Sequence, residues 1–196
     1  MIKLKVCGMR DPANIKAVGD LHPDYMGFIF YDKSPRYVGE DFSITVPNAV
    51  GVFVNESTEK ILAKGVDIVQ LHGNESPAQC LELKLRGIQV IKVFPVDDDF
   101  DFDTTKEYES VADFFLFDTK GKFYGGNAYP FDWNKLNEYN QAKPFFLSGG
   151  LNSQNLMNLD LLRGMNLHAI DVNSGVEDSP GVKNIEKIKN VISCIM

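Results

Sequence analysis

Eight short apolar runs recur along the chain with helix-compatible segments between them, at residues 2–8, 25–30, 49–54, 68–72, 89–94, 114–118, 145–147 and 169–172. Most are β-rich or continuously apolar, the pattern of strands that a parallel sheet buries on both faces. Six segments carry helical spacing: 12–18 after Asp11, 56–64 after Asn55, 77–85 after Ser76, 132–139, 154–163 after Ser153, and 183–195. Ser76 and Ser153 suit N-caps, while Pro12 and Pro77 fall at the first helical position, where a missing N–H costs nothing. Two connections are poor in helical pattern: 37–48, which contains Gly39, Thr45, Val46 and Pro47, and the acidic stretch 97–105, which leaves room for a short helix at most. A chain of alternating strands and helices either closes into an eight-stranded barrel or opens into a doubly wound sheet, usually of five or six strands. Eight strands and a final helix predict the α/β class and a small eight-stranded (β/α)8 TIM barrel, its second helix shortened or missing, filling residues 1–196 as one domain.

Composition narrows the function classes. Apolar residues make up 44% of the 196 and charged residues 24%, as in folded globular chains. A formal net charge of -7, with no stripe of Lys and Arg, argues against a nucleic-acid partner, so a phosphorylated ligand needs a local site that works against the global field. Cys7, Cys80 and Cys194 have neither the number nor the spacing of a disulfide framework, and they suit a reducing compartment. No apolar stretch nears the roughly 20 residues of a membrane span. A cytoplasmic protein without a membrane partner is expected, as a monomer or a homodimer.

Barrel active sites lie at the C-terminal mouth of the strands, so the strand ends carry the functional signal. In order they present Cys7 and Gly8; Lys33, Ser34, Pro35 and Arg36; Asn55; His72 and Gly73; Asp118 and Thr119; Ser148, Gly149 and Gly150; and Asn173, Ser174 and Gly175. Gly149 and Gly150 after the seventh strand and Ser174 and Gly175 after the eighth stand where a barrel commonly cradles phosphate on backbone N–H groups, although each pair alone also reads as a turn. Cys7 is either a small buried apolar side chain or a thiolate base at the mouth. Asp118, closing the run FFLFD, either caps the next loop or serves as a general acid. Asp171, within the last strand, needs a partner such as Lys5 or Lys92, which would form an ionic network below the site. Arg36 can offer its fork to a carboxylate or phosphate or remain a surface group, and His72 can donate, cap or pack. With His22 and His168 in unremarkable places, the pattern supports no zinc site, and metal-free chemistry is favoured. The segment 121–127 lacks the ending of a phosphate-binding P-loop and reads as a closing loop or a surface hairpin.

The strings KVCGM at 5–9, MGFIFYDKSPRYV at 26–38, VGVFVN at 50–55, VQLHGNES at 69–76, FLFDT at 115–119, FDW at 131–133, FLSGGL at 146–151 and DVNSGVEDSPGVK at 171–183 resemble phosphoribosylanthranilate isomerases of tryptophan biosynthesis over nearly the whole chain. The resemblance implies an Amadori rearrangement of N-(5′-phosphoribosyl)anthranilate with no metal or cofactor. It implies Asp118 as general acid, Cys7 as general base and Arg36 as holder of the anthranilate carboxylate. Gly149, Gly150, Asn173, Ser174 and Gly175 are implied at the phosphate, and His72 at the mouth.

Three departures from the family pattern stand out: the missing second helix, Asn127 to Pro130 in place of a Thr/Ser-Gly pair before Phe131, and Asn173 where serine is more usual. Two competing readings remain. Another phosphosugar barrel, an epimerase or aldolase, would want a metal cluster, a second facing carboxylate or an isolated lysine at the mouth. A binding protein would keep the cradle and lose turnover.

Overall fold

The computed structural model describes residues 1–119 and 131–196. Its eight parallel strands are β1 (Lys3–Val6), β2 (Tyr25–Ile29), β3 (Ala49–Phe53), β4 (Ile68–Leu71), β5 (Gln89–Val96), β6 (Phe114–Thr119), β7 (Phe145–Leu147) and β8 (Leu167–Val172). They pair in chain order, and β1 meets β8 with Lys5 opposite Asp171, which closes the barrel.

Alternation along each strand separates two environments. Met26, Phe28, Val69, Leu71, Val90, Phe115, Phe117, Phe145 and Ile170 point outward into the layer beneath the helices. Inward positions change character with height. Tyr25, Val50, Ile68, Ile91, Leu116, Phe146 and Ala169 form an apolar floor. Above them stand Lys5, Gln70 and Asp171, joined by hydrogen bonds, and above these the strand ends open to the mouth. The barrel is thus a packed core with a polar upper layer, and the runs looked continuously apolar because both faces of most strands are buried.

Helices α1 (Pro12–Gly19), α2 (Thr58–Ala63) and α3 (Pro77–Leu85) begin at Asp11, Ser57 and Ser76, each accepting from the backbone N–H three residues on. Asp11 and Ser76 match the expected starts. The segment after β3 starts later than expected, because Asn55 adopts a positive φ and uses its side chain on Asn74 N–H instead. Segments 132–139 and 154–163 form 3₁₀ turns at Trp133–Glu138 and Asn155–Leu162, and a further one lies at Phe102–Tyr108. The caps at Phe102–Tyr108 and Trp133–Glu138 differ from those of the α-helices in reach: Asp101 and Asp132 accept from the N–H two residues on, a tighter start that matches i to i+3 winding. The 155–162 segment starts at Gln154 with no side-chain cap, so Ser153 does not cap it; Asn152 Oδ1 accepts from the N–H groups of Gln154 and Asn155 just ahead of it.

The second helix is absent. Between β2 and β3 the chain runs through successive turns and short irregular stretches, bridging Ile29 to Tyr37 and laying Phe42, Ile44 and Val46 against the core, with the Phe42 ring 5.4 Å from Phe28. A hairpin of β9 (Glu177–Ser179) and β10 (Val182–Lys183), invisible to strand-run reading, precedes the last helix α4 (Ile185–Ile195), capped by Asn184. No helix among the described residues is long and apolar enough to cross a membrane.

Lys92 departs from expectation. It faces outward from β5, where it bonds Glu75 at 3.0 Å and the Gly73 carbonyl at 2.6 Å, far from a partnership with Asp171. Glu75 also accepts from Gly73 N–H and Asn55 N–H, so this buried pair holds the turn that follows His72.

Phe146 is fully buried in the barrel floor between the rings of Tyr25 and Phe114. Phe146→Ala should cost about 3–5 kcal/mol, read as a lower urea midpoint with an unchanged slope.

Candidate active site

Cys7 stands one position beyond β1, its N–H bonded to Val172 O at 2.8 Å and its thiol 4% exposed among Ile29, Val52 and Tyr31. Gly27 on the neighbouring strand makes room for it: a Cβ there would fall 2.6 Å from the Cys7 sulfur. Burial is the largest influence on the thiol and pushes its pKa up, while the charges of Lys5 and Lys183 pull the other way.

Lys5 lies beneath, two residues back on the same inward face and fully buried. Its ammonium donates to Asp171 Oδ2 at 2.8 Å and Gln70 Oε1 at 2.7 Å. Burial opposes the charge, but Asp171 and Cys7 outweigh it, and the lysine holds its proton more tightly than usual. The expected ionic network below the site therefore exists with Lys5 as its cation and without Lys92. The other Asp171 oxygen, Oδ1, is buried with no hydrogen-bond partner among the described residues.

Across the barrel, Gln70 Nε2 lies 3.0 Å from His72 Nδ1, and His72 Nε2 lies 3.3 Å from Asp118 Oδ2. Asp118 is 4% exposed and its Oδ1 accepts from Thr119 N–H at 3.0 Å. Of the two roles weighed for this carboxyl the capping one is seen at Oδ1, which secures the following residue, while Oδ2 meets the imidazole.

The glycine-bearing ends of β7 and β8 pack together. Gly149 has φ +104°, and a Cβ there would collide with the Thr119 hydroxyl, so β6 and β7 approach in a way no other residue permits. Gly175 backs onto the Leu151 carbonyl within the short turn Ser174–Val176. Asn173 accepts from Lys183 Nζ at 2.7 Å through Oδ1, which leaves its amide NH2 group as the side chain's donor.

Cys7, Gln70, His72, Asp118, Gly149, Gly150, Asp171, Asn173 and Ser174 line one cavity of about 560 Å³, counted out to its open mouth. Gly175 and Arg36 are not among its lining residues. Arg36 is largely buried, and its Nε and Nη2 close on Glu177 at 2.7–3.1 Å. Gly8, with φ +72°, lets it pass: a Cβ there would lie 2.6 Å from both the Arg36 Cδ and the Asn173 Oδ1. Glu177 also receives Lys183 Nζ at 2.6 Å and Gly181 N–H at 3.0 Å. Burial works against its charge, but Arg36, Lys183 and Gly181 together hold the carboxyl below its ordinary range. The loop at 121–127 lies outside the described residues.

Gln70, Glu177 and Lys183 were missed by reading strand ends alone. Strand periodicity places Gln70 on the inward face two residues before His72. Glu177 and Lys183 lie in the hairpin, which carries no apolar run.

A closed parallel barrel with its ionisable groups gathered at the strand C-termini defines a (β/α)8-barrel enzyme. The model of N-(5′-phosphoribosyl)anthranilate isomerase matches residues 4–194. The chain is 43% identical over 205 residues to N-(5′-phosphoribosyl)anthranilate isomerase of Parabacteroides distasonis, covering 98% of this chain and 93% of that one. Its fold matches the phosphoribosyl anthranilate isomerase of Thermotoga maritima with a TM-score of 0.86 and 34% identity, over 99% of this chain and 98% of that one. It also matches a phosphoribosyl anthranilate isomerase solved with reduced 1-(o-carboxyphenylamino)-1-deoxyribulose 5-phosphate, with a TM-score of 0.81 and 32% identity, over 98% and 97% of the two chains. The chain belongs to the phosphoribosylanthranilate isomerase family.

Because the folded Glu177 carboxyl is more acidic than its unfolded counterpart, its stabilisation is complete above the ordinary value of about 4.3 and is lost as pH falls through the lower folded value. Glu177→Gln should unfold with about 3 kcal/mol less stability at neutral pH. Thermal melts repeated toward acid should show the gap between the two proteins closing.

Proposed function

We propose that the chain converts N-(5′-phosphoribosyl)anthranilate to 1-(2-carboxyphenylamino)-1-deoxyribulose 5-phosphate by an Amadori rearrangement, as a step of tryptophan biosynthesis, using neither metal nor cofactor. The observation that carries this reading is the convergence of Cys7 and Asp118 on a single cavity whose far side is built from the glycine-bearing ends of β7 and β8. It takes further support from the related isomerase solved with the reduced form of that product.

In the first step Asp118 gives a proton to the furanose ring oxygen, the bond from C1 to that oxygen breaks, and the anilino nitrogen supplies the electron pair that forms the iminium. The Thr119 N–H and the His72 ring stand at the two oxygens where negative charge then appears. In the second step Cys7 removes the proton from C2, and the C–H electron pair neutralises the iminium as the enolamine. Transfer of the enol proton to C1 gives the ketone. The adjacent iminium acidifies C2, so a thiolate of modest basicity suffices. Burial disfavours that thiolate, whereas the charges of Lys5 and Lys183 favour it, and the iminium formed in the first step adds a further positive charge beside it. Turnover leaves a thiol and a carboxylate, and passage of one proton from the Cys7 thiol to the Asp118 carboxylate by way of solvent at the mouth resets both with no net uptake.

The backbone N–H groups of Gly149, Gly150, Ser174 and Gly175, with the Asn173 amide, are assigned to the phosphate. Arg36 is assigned to the anthranilate carboxylate through its Nη1 edge, since Nε and Nη2 serve Glu177. His72 supports Asp118.

Purified, chelator-treated protein should consume phosphoribosylanthranilate, with Cys7→Ser and Asp118→Asn each lowering kcat by about 10²–10⁴-fold while KM moves little. Absence of turnover by the unmodified protein would overturn the isomerase reading. An unchanged rate in either variant would overturn that residue's role.

A further inference from the structure

The polar layer of the barrel forms a chain of hydrogen bonds from Asp171 through Lys5 and Gln70 to His72, whose Nε2 stands 3.3 Å from Asp118 Oδ2, and its donors and acceptors can be assigned from chemistry alone. An ammonium has no lone pair, so the Gln70 atom 2.7 Å from Lys5 Nζ must be the amide oxygen. The amide nitrogen therefore faces His72 Nδ1 at 3.0 Å. An amide NH2 group is a donor only, so Nδ1 must present its lone pair to it. The ring then carries its proton on Nε2, the atom 3.3 Å from Asp118 Oδ2.

We propose that Gln70 is a positioning residue that, oriented by the Lys5 ammonium, holds His72 as the neutral Nε2–H tautomer and aims that N–H at the Asp118 carboxyl. The inference rests on Asp118 acting as the acid. Its value to that step is specific. A neutral N–H accepts growing charge on the carboxylate as the proton leaves, whereas a second proton on the ring would set a full positive charge beside Asp118 and favour the ionised form that has no proton to give. By placing a donor against Nδ1, Gln70 denies that proton a place. Lys5 in turn cannot swing away, because it is fully buried and tied to Asp171 at 2.8 Å. The imidazole is oriented from beneath, through an amide that itself cannot titrate.

The decisive substitution is Gln70→Glu, which keeps an acceptor for Lys5 and changes the atom facing Nδ1 from donor to acceptor. Nitrogen-15 NMR of the histidine-labelled protein, with His72→Asn used to assign the signal, should show neutral His72 protonated on Nε2 at neutral pH. In Gln70→Glu the signal should move to a form protonated on Nδ1. Phosphoribosylanthranilate turnover should lose about 10-fold or more in kcat with KM nearly constant. Gln70→Met, matched in shape but carrying neither donor nor acceptor, should fall between the two, and it stands in if the glutamate variant does not fold. A His72 protonated on Nδ1 in the unmodified protein overturns the proposal, as does a changed ring form with full kcat. Asp118→Asn, run alongside, keeps the two readings apart: if it stays active the acid assignment fails, while the NMR result still decides the tautomer.

Discussion

A lysine ammonium buried at the centre of a closed barrel has to be neutralised and hydrogen-bonded on the spot, and most of the polar geometry of this protein follows from that requirement. Stripping water from the charge costs several kcal/mol unless a counter-ion and further acceptors replace it. Lys5 finds Asp171 on the adjacent β8 and Gln70 across the barrel on β4. Both lie at inward positions directly above the apolar floor, and each carries one further polar group on the next inward position toward the mouth: Asn173 beyond Asp171, His72 beyond Gln70. The strand alternation that buries a charge in the middle also lifts the reactive groups to the top.

A second constraint is steric. Gly8, Gly27 and Gly149 each stand where a methyl group would strike a side chain of the site: Arg36 and Asn173, Cys7, and Thr119 respectively. Strands converging at a barrel mouth leave little room beside large functional groups, and the neighbouring residue gives way. These glycines are part of the site although none carries chemistry.

Much of this was legible in the chain. Eight apolar runs, each buried on both faces, can close into few arrangements, and the polar residues ending them mark the mouth, which is how Cys7, His72 and Asp118 were found. What escaped depends on contacts between distant segments. Whether Lys5 or Lys92 turns inward depends on strand phase, and the shorter caps at two of the 3₁₀ segments depend on where Asp101 and Asp132 point. Glu177 is a hairpin residue with no local pattern around it, yet it takes up two of the Arg36 nitrogens from 141 positions away. An arginine weighed as a fork for a ligand or as a surface group is instead largely buried, with two of its three nitrogens on a carboxylate of its own chain.

That pairing has a consequence for the order in which the protein becomes complete. Residues 31–48 lack the rigid helix that would brace the wall carrying Tyr31, Ser34 and Arg36, and the brace comes instead from the far end of the chain. Lys5 waits on Asp171 in the same way, and Asn14 on Lys183 through a reciprocal pair of bonds at 2.8 and 2.9 Å. During synthesis, therefore, the strand that ends at Cys7 emerges well before Asp171 and Glu177, and the charge beneath the thiol has no counter-ion and the wall beside it no anchor until those two residues have left the ribosome, at an elongation rate of roughly 5–20 residues per second. The pocket is assembled by its final segments, and a nascent chain short of them carries every strand end from Cys7 to Ser148 without a working site.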